Sequence, residues 1–375
     1  MIIPYSRQSI DEDDIDAVIS ALKSDFLTGG KRVEEFEEAL ATYLNMKYVC
    51  VLNSATSALH LAYQSIGLLK DDEIITSPIT FAATSNAALM LGAKPIFCDI
   101  KYDGNIDEKK IEDLITKKTK AVVPVDFGGN PVEIKKIREI CDKNGLFLIQ
   151  DASHALGSEV HGERVGFFAD LAIFSFHAIK PITTAGEGGA IATNSKELYE
   201  KIKLLRSHGI VKKEVWNQDM IELGYNYRLS DIACALGLSQ LKKLDSFIEQ
   251  RAKIASFYDE AFKDNPYFFP VKIPPSTKSS YHLYPVLLDR NLWCPKEDIY
   301  KTLHEKGIGV QVHYKPTYKF SYYEKLFGKM ELKVSEDFYK AELSIPCHQM
   351  MSLEDAKFIS ETLLEVLGSF GACKR

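Results

Sequence analysis

The sequence predicts an α/β protein, a large unit built on a mostly parallel sheet followed by a smaller C-terminal α+β unit. Three observations carry this. Short apolar runs alternate with amphipathic stretches from residue 48 to about residue 200. Several of those runs end on a polar or charged side chain. The chain has 375 residues, enough for two buried cores. An apolar run closed by turn residues reads as a buried strand, and connections long enough to hold a helix make neighbouring strands parallel.

Taken in order, the first helix is expected over 9–24, with Ser9 and Glu12 as a capping box and Ile15, Val18, Ile19 and Leu22 along one face. Strands are expected over 48–52, 73–77, 94–99, 120–126, 145–150 and 170–175, with 189–193 as a final one. The stretch from Gly237 continues in helical pattern to about residue 262 and links the large unit, 1–245, to the small one, 246–375. In the small unit, 281–288 and 309–314 read as strands covered by helices over 296–306 and 353–366.

Composition narrows the function. Hydrophobic residues at 46% with charged residues at 26% are ordinary for a globular enzyme. A net charge of -6 argues against a nucleic-acid surface, which would need a basic face. No apolar stretch approaches the roughly 18 residues of a membrane span, and the start Met1–Arg7 lacks the apolar core of a signal peptide, so a cytoplasmic enzyme is expected. The cysteines Cys50, Cys98, Cys141, Cys234, Cys294, Cys347 and Cys373 are scattered, with no C-x-x-C pair. That spacing argues against disulfides and structural zinc, and no metal site is expected.

The chemistry-bearing residues follow the strand ends. Lys180 stands in Ser175-Phe176-His177-Ala178-Ile179-Lys180-Pro181, after one apolar run and before the turn Gly186-Glu187-Gly188-Gly189. The crevice of an α/β sheet lies at such ends, and a desolvated lysine there has a lowered pKa and attacks carbonyl carbon. Asp151 closes the run 145–150, and His154 follows it. A capping carboxylate and a packed core histidine would leave the same pattern. Asn53-Ser54-Ala55-Thr56-Ser57 opens a helix after the run 48–52, where free backbone N–H groups either hold a phosphate or are simply capped. Phe81 follows the run 73–77 and serves either as core or as a stacking platform.

Together these features, with "LTGG" at 27–30, Phe36-Glu37, Asp151 to Gly157, Gly224 to Ser230 and Gln311 to Pro316, resemble the sugar-nucleotide aminotransferases of the DegT/DnrJ/EryC1/StrS family. Those are fold-type I enzymes dependent on pyridoxal 5′-phosphate, and the resemblance spans nearly the whole chain. It implies that Lys180 binds the cofactor covalently and that Asp151 faces the ring nitrogen, which it keeps protonated. It places Ala55, Thr56 and Ser175 on the phosphate, Phe81 and His154 beside the ring, and Asn226 on the phosphate from a partner subunit. A homodimer with shared sites follows, although Asn226 is also an ordinary turn residue. Tyr5, Arg228, His313 and Tyr314 are expected to meet the substrate. A closer likeness within the family rests on Tyr5-Ser6-Arg7, Phe176 to Ala185, Lys263 to Phe268, His282 to Leu287 and Gln311 to Pro316. It implies amination of a UDP-linked 4-keto-6-deoxy-N-acetylhexosamine with L-glutamate as donor. The D-xylo epimer, a C3-keto sugar and a non-catalytic regulatory relative are the alternatives.

Two sequence features bear on that choice. Between Arg290 and Arg375 there is no arginine to hold an amino-acid carboxylate from the C-terminal unit. Dehydratase relatives carry histidine where this chain has Lys180.

Overall fold

The computed structural model describes residues 2–372; Cys373 and Arg375 lie outside them. Seven strands form the central sheet in the order 48–52, 189–193, 171–175, 147–151, 119–123, 73–76 and 94–97. Only Gly189–Thr193 runs against its neighbours; the other pairings are parallel. All seven strands begin or end within a few residues of the expected positions. Apolar side chains fill both faces, Phe36, Leu40, Phe174 and Leu148 among them on one side and Ile74, Val123, Ile149 and Ile173 on the other. That two-sided burial is why the runs read as continuously apolar rather than alternating.

The first helix differs from expectation. It spans Glu12–Leu22, and its capping box is Asp11 with Asp14, not Ser9 with Glu12. Asp14 is buried, accepting from Gln240 Nε2 at 2.7 Å and pairing with Lys243. This polar anchor and the small Ala21 turn the helix inward on their side, so Ile15, Ile19 and Leu22 face outward. The helical pattern after Gly237 is likewise two helices, Asp231–Leu241 and Leu244–Ala261, separated at Lys242 and Lys243. The division at 245 and 246 falls in the first turn of the second.

The C-terminal unit carries an antiparallel sheet of Phe268–Pro270, Tyr284–Leu288 and Glu342–Ile345. Helices Leu244–Ala261, Lys296–Glu305 and Leu353–Ala372 cover it around a separate core that includes Tyr258, Val286, Leu303, Leu343 and Ile359. The strand expected over 309–314 shrinks to Ile308–Gly309, which pairs with Ile3–Pro4. Residues 312–316 have no regular structure. The pairing matters for function because it brings the N-terminal segment, and with it Tyr5, to the cavity described next.

Candidate active site

The carboxyl ends of the parallel strands share one edge of the sheet, as the crevice rule for α/β proteins requires. A cavity of about 640 Å³ opens there, between the sheet and the C-terminal unit. Tyr5, Ala55, Thr56, Phe81, Asp151, His154, Ser175, Lys180, His313 and Tyr314 all line it. Asn226 and Arg228 do not: Asn226 is exposed, with its backbone bridged to Ser207, and Arg228 is bridged to Leu52.

Lys180 lies in the turn after Ser175, and Ser6 Oγ donates to the neighbouring Ile179 carbonyl at 3.0 Å. The residue as a whole is half-buried, but its amine is enclosed by protein, and burial brings it down to about 7 against an opposing pull from Asp151. A lysine so placed is free base in about half of the molecules near neutral pH, and that is the form that attacks carbonyl carbon.

Asp151 ends the strand Phe147–Asp151 and is buried. A buried carboxylate requires donors. Thr84 Oγ1 donates to one oxygen at 2.7 Å, and Ser153 Oγ and N donate to the other at 2.6 and 3.2 Å. These bonds fix the carboxylate's direction. His154 accepts from Gly128 N–H at Nδ1, 3.3 Å, so its proton sits on Nε2 and faces Tyr314 Oη at 3.2 Å. Burial, reinforced by the charge on Lys180, holds this imidazole well below its usual pKa, so it is neutral. His313 is held in the same way, down to about 3 by burial and then by Lys180. Its Nδ1 meets Ser344 Oγ at 2.9 Å, and its backbone N–H donates to the buried Glu342.

Opposite, the helix Ala55–Ser65 starts at the cavity wall, capped by Ser54 and Ser57. Its first N–H groups, those of Ala55 and Thr56, have no intrahelical partner and point toward the cavity with the positive end of the helix dipole. Gly189 allows this approach, since a Cβ there would stand 2.5 Å from the Ala55 nitrogen. Phe81 sits at the rim, 66% exposed, with its ring edge-on to Tyr314 at 6.4 Å.

Three residues that touch these groups were not foreseen. Thr84 and Ser153 orient Asp151, and their only sequence signal was hydroxyl residues near strand ends. His282, whose Nε2 lies 3.4 Å from Lys180 Nζ, stands just before the strand Tyr284–Leu288, in a segment expected to be strand from residue 281 and given no role at the site.

This disposition of lysine, carboxylate and helix start agrees with the comparisons to known proteins. Residues 8–364 match the DegT/DnrJ/EryC1/StrS aminotransferase family. The chain belongs to that family. A UDP-4-amino-4,6-dideoxy-N-acetyl-beta-L-altrosamine transaminase of Campylobacter jejuni is 60% identical, with 98% of each chain covered. The Helicobacter pylori protein of the same name is 48% identical over 98% of each. The solved Helicobacter pylori PseC, an aminotransferase involved in the biosynthesis of pseudoaminic acid, superposes with a TM-score of 0.96 at 47% identity, over 98% of this chain and 100% of that one. A Streptococcus pneumoniae protein, named as a sugar aminotransferase and solved in its PLP form, gives 0.94 at 29% identity, covering 99% and 100%. The chain therefore has the fold-type I architecture, and pyridoxal 5′-phosphate is the cofactor of its family. The residues present fit that group. The cavity supplies an amine with a lowered pKa, a carboxylate with a fixed direction, and unpaired helix N–H groups for a phosphate. Among the described residues no cluster of His, Cys, Asp and Glu suits a metal ion, and no helix is long and apolar enough to cross a membrane.

Proposed function

We propose that this aminotransferase transfers the amino group of L-glutamate to C4 of UDP-2-acetamido-2,6-dideoxy-β-L-arabino-hex-4-ulose, giving UDP-4-amino-4,6-dideoxy-N-acetyl-β-L-altrosamine, in the cytoplasm on the way to pseudaminic acid. The enclosed Lys180 amine facing Asp151 carries the reaction class. The near full-length likeness to the altrosamine transaminases supports the substrate.

Bound in this cavity, pyridoxal phosphate would supply an aldehyde carbon and an electron-drawing ring. Lys180 Nζ would hold that carbon and, once released, take and return protons at the reacting carbon, for which a pKa near neutrality is suited. Asp151 would keep the ring nitrogen charged, its own direction fixed by Thr84 and Ser153. The Ala55 and Thr56 amides with the Ser175 hydroxyl would bind phosphate, and Phe81 and His154 would flank the ring. Tyr5, His313 and Tyr314 line the remaining space and would offer polar atoms to the sugar.

A homodimer completes this reading, with Asn226 and Arg228 reaching the partner's site. Neither lines its own cavity, and the chain exposes apolar surface that a monomer seldom leaves bare. The hairpin Ile210–Lys212 and Gln218–Met220 ends in Val215 and in Trp216, which is 82% exposed, and the first helix turns Ile15, Ile19 and Leu22 outward. We treat 1–245 and 246–375 as the two units that close on the substrate.

The test is kinetic. With glutamate as donor, the β-L-arabino sugar should give the higher kcat/KM, because polar groups set against one face of the sugar are left unpaired by the isomer with the opposite configuration at C5. Equal or better efficiency with the D-xylo epimer would remove the substrate assignment.

A further inference from the structure

We propose that His282 is the positioning residue for Lys180: a buried imidazole whose Nε2 accepts from the lysine amine and aims it, with Arg251 clamping the backbone that presents it. The proposal rests on the reading of Lys180 as the reactive amine.

Four observations support it. The first is contact. His282 Nε2 lies 3.4 Å from Lys180 Nζ, and the histidine is buried, 1% exposed. The second is how the segment is aimed. Tyr281, immediately before it, has φ +48°, a left-handed conformation that a bulky residue rarely adopts without being held there. The conformation sets the next side chain against Lys180.

The third is the clamp. Arg251 is wholly buried in the helix Leu244–Ala261, and no carboxylate accepts from it. Its Nη1 donates to the carbonyls of Tyr281 at 3.1 Å, His282 at 3.4 Å and Cys347 at 3.0 Å, and its Nε donates to Gln349 Oε1 at 3.1 Å. Burying a guanidinium without a counter-ion costs stability. Here the cation holds together three carbonyls from two separate chain segments. The same segment is tied to the far wall: Ser280 Oγ donates to the His154 carbonyl at 2.8 Å and Leu283 N–H to the Gly128 carbonyl at 3.1 Å.

The fourth is charge. The groups facing His282 are Lys180, Arg251, His154 and His313, all cations or potential cations, with the His154 ring centroid at 4.4 Å. Burial first, and these charges after it, keep the imidazole well below its usual pKa. The imidazole is therefore held neutral, and Nε2, toward Lys180, is the ring nitrogen that has a hydrogen-bond partner, Nδ1 being buried without one. A neutral acceptor holds an amine without competing for the proton that amine must move.

The experiment compares wild type with His282→Leu and His282→Gln. Glutamine places an acceptor oxygen near the Nε2 position; leucine fills the space without one. Two readouts are taken on protein whose circular dichroism matches wild type. The first is the kcat and KM of the holoenzyme. The second is the pH midpoint for acetylation of Lys180 by acetic anhydride in cofactor-stripped protein, followed by mass spectrometry.

His282→Leu should lower kcat about 10- to 100-fold with KM changed less than about threefold, the signature of a misaimed group. It should also move the Lys180 midpoint downward, because the ammonium loses an acceptor. His282→Gln should recover kcat to within about fivefold and restore the midpoint. If His282→Leu misfolds, Arg251→Met, which releases the clamp from outside the cavity, should lower kcat in the same direction and lower the same midpoint. A His282→Leu enzyme within about threefold of wild-type kcat, or with an unchanged Lys180 midpoint, overturns the proposal. A wild type that shows no turnover and no cofactor colour would instead overturn the reading of Lys180 on which it rests.

Discussion

The cavity wall made by Asp151, Ser175 and Lys180 stands at the ends of adjacent sheet strands, whereas a second group, His313 and Tyr314 on the wall with His282 against Lys180, is carried by backbone with no regular structure. The first wall is positioned by the sheet: strands pair in register, and whatever follows a strand end arrives at the crevice. The second is positioned by buried polar clamps. Arg251 holds the carbonyls of Tyr281 and His282, and Glu342 with Ser344 holds His313. Strand-end groups thus inherit the precision of the scaffold, while groups on irregular segments need a dedicated hydrogen bond apiece, and each of those bonds is a place to break the site.

The largest effect is expected on the sheet-borne wall. Lys180→Ala should abolish turnover, by at least about a thousandfold, and remove the visible colour of the bound cofactor while circular dichroism stays unchanged. Asp151→Asn should keep some cofactor and lose about a hundredfold or more in kcat, since an amide cannot keep the ring nitrogen charged. Activity within a few-fold of wild type would make Asp151 structural and move the ring elsewhere.

Smaller effects sharpen the contrast. Thr84→Val deletes one donor to Asp151. A hydrogen bond to a charged group contributes about 1.5–3 kcal/mol, so roughly tenfold in kcat is expected, with Asp151 still held by Ser153. An unaltered rate would mean that the sheet alone orients the carboxylate.

The smallest signal comes from subunit mixing. Asn226→Ala should retain cofactor poorly, and exchange with inactive Lys180→Ala subunits should regain activity. At equal mixing half the dimers are heterodimers, each with one intact site of two, so about a quarter of the wild-type level is expected. No recovery after verified exchange would place each site within one chain.

The same contrast explains what could be read from the sequence. Asp151, Ser175 and Lys180 were legible because each closes or follows a run that is apolar on both faces, and such a run has few alternatives to a buried strand. Ala55 and Thr56 were legible because small hydroxyl residues between a strand and an apolar helix mark a helix start. His282 was not, because its placement depends on the left-handed Tyr281 and on Arg251, partners whose proximity no local pattern encodes. The strand expected over 309–314 failed for a related reason. His313 donates its backbone N–H to Glu342 rather than to a sheet ladder, so the apolar alternation there serves the cavity. At the first helix, Asp11 displaced Ser9 as cap because Asp14, buried against Gln240 and Lys243, fixes the register.

The central claim is that Lys180 is the amine that holds pyridoxal phosphate, and peptide mapping of the wild-type holoenzyme after borohydride reduction tests it most directly. The account predicts that reduction abolishes turnover and leaves the phosphopyridoxyl mass on Lys180 alone, at close to one per chain. The same mass on another lysine, or cofactor lost on dialysis after reduction with Lys180 unmodified, would contradict it.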